Sequence, residues 1–213
     1  MKKEINLAGV TTCVGCGVCA DVCPKGCIHM TPNNEGFLYP KVNKEKCINC
    51  GLCEKVCSFK NESVDVNLND TYAAYSKNKE VLLSSSSGGI FHQISEHILS
   101  LGGVIYGASF EKDNKVAHVR VDNIDYLGKL KRSKYVQSGL KDIYKQVKND
   151  LKSGKTVLFS GTGCQINSLI LYLKVLRVNY GNLYTVDIFC HGVPSEKVWE
   201  KYAWRRYENN SAY

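Results

Sequence analysis

No apolar stretch of this chain approaches the roughly 18 residues that a membrane-crossing helix needs. The opening segment MKKEINLAGV has basic residues but no sustained apolar run behind them, a poor secretory leader, so a cytoplasmic location is expected. Blocks of like charge are missing too. The formal net charge of +8 is spread along 213 residues and reads as a solvated surface, with at most a weak preference for an acidic partner or an anionic cofactor. No nucleic-acid motif accompanies it, and nucleic-acid binding is not expected. An obvious acid–base catalyst is also lacking. What the chain does have is 44% hydrophobic residues, too many for a disordered polypeptide, and length for one ordinary domain plus a small module.

Cysteine is the residue in excess, with eleven. Nine lie between Cys13 and Cys57, while Cys164 and Cys190 stand alone. A disulfide framework would need an oxidising compartment, and nothing in the sequence directs export, so metal ligation is the better reading. The run Cys13-Val-Gly-Cys16-Gly-Val-Cys19-Ala-Asp-Val-Cys23 recurs 34 residues later as Cys47-Ile-Asn-Cys50-Gly-Leu-Cys53-Glu-Lys-Val-Cys57. A repeat of this kind marks one structural unit used twice.

The spacing C-x2-C-x2-C-x3-C, occurring twice, is that of proteins with two 4Fe–4S clusters. Soft thiolates suit iron–sulfur cores. Three closely spaced cysteines reach three irons of one cube, and the fourth points away to the other. One cluster is therefore expected on Cys13, Cys16, Cys19 and Cys57, and the other on Cys47, Cys50, Cys53 and Cys23. Structural zinc takes four ligands per ion, usually as two separated pairs, and fits two identical runs of four poorly. Gly17 and Gly51 keep the loop backbone close to the cluster, where amide N–H groups stabilise its negative charge. Pro24 follows Cys23, whereas Ser58 stands where the second run would carry proline. Cys27, on the turn into the short strand expected around Ile28–Met30, reads as a small packed residue, with alternative ligation the minor possibility.

The polar segment from Asn61 to Asp70 resembles a linker. The expected division is residues 1–62 for the cluster module, 63–70 for the linker and 71–213 for a second domain. In that domain strands are expected over Thr71–Ser76, Gly103–Phe110, Val116–Val121, Thr156–Ser160 and Leu183–Phe189. Helices are expected from Ile90 to Leu101, with Ile90, Phe91, Ile94, Ile98 and Leu99 on one face, from Asp142 to Leu151, after Cys164 and from near Ser195. The fold class is thus an α+β two-cluster ferredoxin module followed by an α/β domain with a mostly parallel sheet.

Ser84 to Gly89 leads directly into the first of these helices. It suits either a phosphate cradle at the helix N-terminus or a loop with a serine cap. Cys164 and Cys190 each follow a strand at its carboxyl end, where open α/β sheets place ligands, although two buried cysteines acting as small hydrophobes would look the same. A right-handed crossover through the intervening helix should make those two strands parallel neighbours. His191 reads as a hydrogen-bonded structural residue.

Four segments in order, SSSSGGIF, SKYVQS, GKTVLFSGTGCQI and DIFCHGVPSEKVW, are similar to the beta subunit of coenzyme F-420 hydrogenase/dehydrogenase. The resemblance implies a flavin-binding α/β domain that passes electrons between clusters, FAD and a reducible partner such as the deazaflavin coenzyme F-420. It also implies that Ser87, Gly88 and Gly89 approach the flavin phosphates, that Lys134, Tyr135 and Gln137 line the cofactor site, and that Cys164 and Cys190 are two ligands of a further cluster. Family members usually have proline at the position of Gly163. They are also longer, with a later C-x2-C pair that completes this third cluster. Relative to them the chain reads as C-terminally shortened, and Cys164 and Cys190 as a partial third site.

The expected function is that of an iron–sulfur oxidoreductase, or a subunit of one, whose partner is a redox protein or a small redox cofactor. The alternative is a non-catalytic electron carrier whose C-terminal domain docks a partner protein.

Overall fold

The computed structural model describes residues 5–61, 70–112 and 115–208. The expected linker at 63–70 lies, apart from Asp70, outside the described residues.

The repeat in sequence is a repeat in backbone. Helix α1 (Val18–Val22) follows Gly17, and helix α2 (Leu52–Lys55) follows Gly51, with both glycines left-handed at φ 75° and 74°. Two residues earlier, Gly15 (φ 68°) and Asn49 (φ 54°) are left-handed as well. The same two reversals therefore precede each helix and wrap each cysteine loop tightly. Between the repeats lies an antiparallel hairpin, β1 (Ile28–Pro32) and β2 (Leu38–Val42).

Beyond the linker, α3 (Lys79–Ser84) and α4 (Ile90–Ser100) lead into β3 (Val104–Phe110). Strand β4 (Val116–Val121) returns antiparallel to β3. A 3-10 helix (Ile124–Leu130), α5 (Ile143–Lys152), β5 (Val157–Thr162), α6 (Gly163–Val175), β6 (Leu183–Ile188) and α7 (Glu196–Glu208) follow. The sheet order is β4-β3-β5-β6, with β3, β5 and β6 parallel and β4 the antiparallel edge. The expected fold class is the one observed.

The sheet sorts its side chains by alternation. Ile105 and Leu158 face one way, into a core with Ile98, Val121, Leu127 and Leu130 from α4, β4 and the 3-10 helix. Val104, Tyr106, Val157 and Phe159 face the other way, onto α5 and α6. That second core does not stop at the helices. It continues without a break into Val18, Val22, Ile28, Cys53 and Val56 of the cluster module. Val22 and Val56, equivalent in the repeat, are both buried, and each such valine contributes about 1.5–3 kcal/mol relative to exposure. The cluster module thus shares a core with the helices that cover one face of the sheet.

Two expectations fail locally. Thr71–Ser76 forms no strand. Ser76 N–H donates to Gly88 O, but Tyr72 and Tyr75 stay largely exposed, so the segment has neither a ladder nor a buried face. In α4, Ile90 and Ile94 remain 37% and 38% exposed while Ser95 is fully buried. The helix turns Phe91, Ile98 and Leu99 towards the core and leaves the other two isoleucines at its margin.

Candidate iron–sulfur centres

Cys13, Cys16, Cys19 and Cys57 line one cavity. Cys23, Cys47, Cys50 and Cys53 line a second. Each cavity therefore takes three thiols from its own loop and one from the far end of the other repeat. Among the described residues, no three His, Cys, Asp or Glu side chains converge tightly enough for a single metal ion, and the thiols ring the two cavities instead. Three thiols from one loop and one crossing from the other repeat are the donor set a 4Fe–4S cube takes, so the residues present fit that group, and Cys27 adds a fifth thiol to the wall of the second cavity.

The walls of both cavities are apolar. Leu7, Val18, Met30 and Pro40 contribute to the first, and Ile5, Ile28, Ile48 and Leu52 to the second. Burial pushes the thiols of Cys13, Cys16 and Cys19 up, and that of Cys53 up to about 11. A thiolate in such surroundings needs a cation beside it, which is what an iron core supplies.

The first cavity sits against the α/β domain. Ser168 Oγ on α6 lies 3.3 Å from Cys16 Sγ and 2.8 Å from Cys164 O, two acceptors for its one proton, and 3.3 Å from Ser58 Oγ. Tyr144 Oη on α5 donates to Cys16 O at 3.3 Å, and Asp142 N–H to Asp21 Oδ1 at 3.1 Å. Burial lifts the Asp21 carboxyl to about 6, offset in part by that hydrogen bond and by the Lys145 ammonium. Ser58, which stands where proline was expected, is therefore part of this contact. On the far side α7 reaches back to the hairpin, where Lys197 Nζ donates to Asn34 O at 3.1 Å.

Cys164 and Cys190 follow neighbouring parallel strands. Thr162 and Ile188 are register partners, and each cysteine lies two residues beyond its member of the pair. Cys164 is half-buried in the first turn of α6, its Sγ 3.1 Å from Thr162 Oγ1. Cys190 is exposed and its Sγ accepts from Gly192 N–H at 3.4 Å.

The residues assigned by resemblance to a flavin site are only partly brought together. The serine loop meets the segment around Lys134, since Lys131 Nζ donates to Ser84 Oγ at 2.8 Å and Ser133 N–H to Ser86 Oγ at 3.1 Å. Gly88 packs on its own chain, and a Cβ there would lie 2.4 Å from Ala74 O. Gly89 is the left-handed residue (φ 76°) that opens α4, with Ser87 two residues before it. Lys134 Nζ folds back onto Lys129 O and Lys131 O, and burial lowers its pKa to about 8. Tyr135 is 82% exposed. Gln137 points elsewhere, donating to Val14 O of the first cysteine loop at 3.0 Å. Ser168 and Tyr144 carry no motif and are recognisable only by what they touch.

Residues 12–61 match the 4Fe-4S dicluster domain. The chain is an iron–sulfur protein. Residues 154–211, which hold the last two of the four segments, match the C terminus of the coenzyme F420 hydrogenase/dehydrogenase beta subunit, in line with the resemblance. Among solved structures, a chain of the xenon-derivatised F420-reducing [NiFe] hydrogenase complex from Methanosarcina barkeri is similar, with 19% identity and a TM-score of 0.51. The match covers 69% of this chain and 54% of that one, so the chain spans about half the length of its structural relative. No curated protein matches. Among the described residues no helix is long and apolar enough to cross a membrane.

Proposed function

We propose that this iron–sulfur protein passes electrons between two 4Fe–4S clusters and a flavin or deazaflavin partner at the carboxyl edge of its sheet, as an oxidoreductase or a subunit of one. The observation that carries the reading is the path Cys16–Ser168–Cys164, in which a single hydroxyl bridges the first cysteine cavity and the end of β5. When bound, the clusters supply one-electron carriers and a flavin supplies hydride chemistry, which leaves the chain no need for an acid–base residue.

The chain's own residues do the holding. Cys13, Cys16, Cys19 and Cys57 bind one cluster, and Cys23, Cys47, Cys50 and Cys53 the other. The left-handed glycines before α1 and α2 keep backbone amides near each cube. Tyr144 and Ser168 fix the Cys16 loop onto α5 and α6, so the first cluster keeps a set distance from the sheet edge. FAD bound by Ser87, Gly88, Gly89, Lys134 and Tyr135, and coenzyme F-420 as the reducible partner, extend the reading. Meeting of the serine loop with the Lys131–Ser133 segment supports it.

The second reading, a carrier whose α/β domain docks a redox protein, is favoured by Gly88. Its open side is filled by Ala74 and not by space for a ligand. Anaerobic purification followed by iron, sulfide and flavin analysis separates the two. About eight irons with a tightly bound flavin supports the first reading, and about eight irons with no flavin taken up from added FAD supports the second. Zinc in place of iron overturns both.

A further inference from the structure

The second cysteine cavity has a fifth thiol in its wall. Cys27 is 2% exposed, lines the cavity alongside Cys23, Cys47, Cys50 and Cys53, and places its Sγ 3.4 Å from Cys23 Sγ. A tight turn brings this about. Gly26 takes a left-handed φ of 57° and donates its N–H to Cys23 O at 3.1 Å, reversing the chain within Cys23-Pro24-Lys25-Gly26. Asn43 N–H then donates to Cys27 O at 2.8 Å and pins the new direction to the end of the hairpin.

The repeat supplies a comparison inside the same molecule. The position equivalent to Cys27, 34 residues on, is Asn61. Its amide donates to Glu54 O at 2.9 Å and Cys57 O at 2.8 Å, closing the end of α2, and it takes no part in the first cavity. A residue at this point of the fold therefore need not face a cavity at all. In the first repeat it does, and it carries a sulfur.

Resting on the reading that this cavity holds a 4Fe–4S cluster, we propose that Cys27 is a reserve ligand able to take over the iron position otherwise held by Cys23. The exchange is a ligand swap with no change of oxidation state. The bond from iron to the Cys23 sulfur breaks and one to the Cys27 sulfur forms. The proton of the Cys27 thiol passes to the released Cys23 sulfur beside it, so charge and electron count are unchanged. Cys23 is the less buried of the two and the more open to chemical modification, so the cluster survives loss of its crossing ligand.

Iron and sulfide counts on the full chain, prepared anaerobically, test this together with the electron paramagnetic resonance of the reduced protein. Cys23→Ala and Cys27→Ala should each keep about eight irons, and the double variant should fall to about four, with the first cluster's signal intact in all three. In Cys23→Ala the second cluster's signal should shift without losing intensity. Cys50→Ala should halve the iron by itself. A Cys23→Ala protein that drops to the level of the double variant overturns the proposal. So does a Cys27→Ala protein that loses half its iron, since Cys27 would then be the resident ligand. If Cys23→Ala loses the first cluster too, Cys23→Val, which keeps more of the side-chain volume, gives the same count. About four irons in the native chain would instead mark failure of the two-cluster reading itself.

Discussion

The hydroxyl of Ser168 lies 3.3 Å from the sulfur of Cys16 and is wholly buried. It carries one proton and has a second acceptor, the Cys164 carbonyl at 2.8 Å. An iron-bound thiolate holds negative charge, and charge-assisted hydrogen bonds are the stronger ones. Ser168 should therefore donate to Cys16 when the cluster is present and stabilise its reduced, more negative state. Ser168→Ala should lower the first cluster's potential by on the order of 30 mV, where 59 mV is a tenfold change for one electron. The second cluster should not move, because its exposed Cys50, the repeat equivalent of Cys16, lies outside this contact. Ser168→Thr should restore the native value. Equal shifts of both potentials in a resonance-monitored titration would show that Ser168 acts only through packing.

Cys57 tests the crossing of ligands between the repeats. It belongs by sequence to the second run but lines the cavity of Cys13, Cys16 and Cys19. Cys57→Ala should cut the iron content from about eight to about four and spare the cluster on Cys47, Cys50 and Cys53. Loss of that second cluster instead would mean each run serves its own cube.

The cluster module was legible because its spacing is dictated by covalent chemistry. Thiols must sit at fixed separations around a cube, so Cys13 to Cys57 announce themselves in one dimension. The strands of the sheet were legible for a related reason. Val157, Leu158 and Phe159 form a short apolar run that suits a strand buried on both faces. Contacts between distant segments were not legible. Nothing in Val18, Val22 or Val56 says that they pack on the helices beneath the sheet. The isoleucines of α4 misled because periodicity identifies an apolar stripe but not how far the neighbouring element extends over it.

Gly88 shows the same limit and supplies a third test. From sequence a glycine before a helix suggests close approach by a phosphate, whereas here the close neighbour is Ala74 O, with Tyr75 Cα 3.2 Å away. Both are backbone atoms and yield less readily than the end of a side chain. Gly88→Val should cost about 1–3 kcal/mol through overpacking. At about 2–4 °C per kcal/mol for a chain of this size, the thermal midpoint should fall by several degrees even without flavin. An unchanged midpoint in flavin-free protein, together with lost flavin retention, would return Gly88 to a ligand-binding role.

Lys134 gives a pH dependence with a definite sign. Burial lowers its pKa from 10.5 to about 8 in the folded chain. Between these two values the unfolded chain binds more protons, so stability from this residue rises with pH across that window. Below about pH 8 both states are charged and the burial penalty is fully present. Lys134→Met removes the ammonium, so its stability advantage over the native chain should shrink as pH rises from 8 towards 10.5. Parallel denaturation curves at the two pH values would show that Lys134 is not desolvated.

Cys164 and Cys190 decide whether the sheet edge of this chain carries a cluster of its own. Their strands are parallel neighbours, and each cysteine stands two residues past the register pair Thr162–Ile188, so both belong to one edge. A cubane usually takes four protein ligands, and these two are the cysteines left when the cluster module and Cys27 are set aside. The two thiols should therefore remain unligated in protein that holds about eight irons. Exposure orders their reactivity. Cys190 should be alkylated first, and Cys164, half-buried against Thr162, more slowly, while the eight cluster cysteines stay protected under anaerobic conditions. Mass spectrometry of the alkylated chain reads the order directly. About twelve irons with both thiols protected would mean a complete third cluster held by these two cysteines and two further ligands.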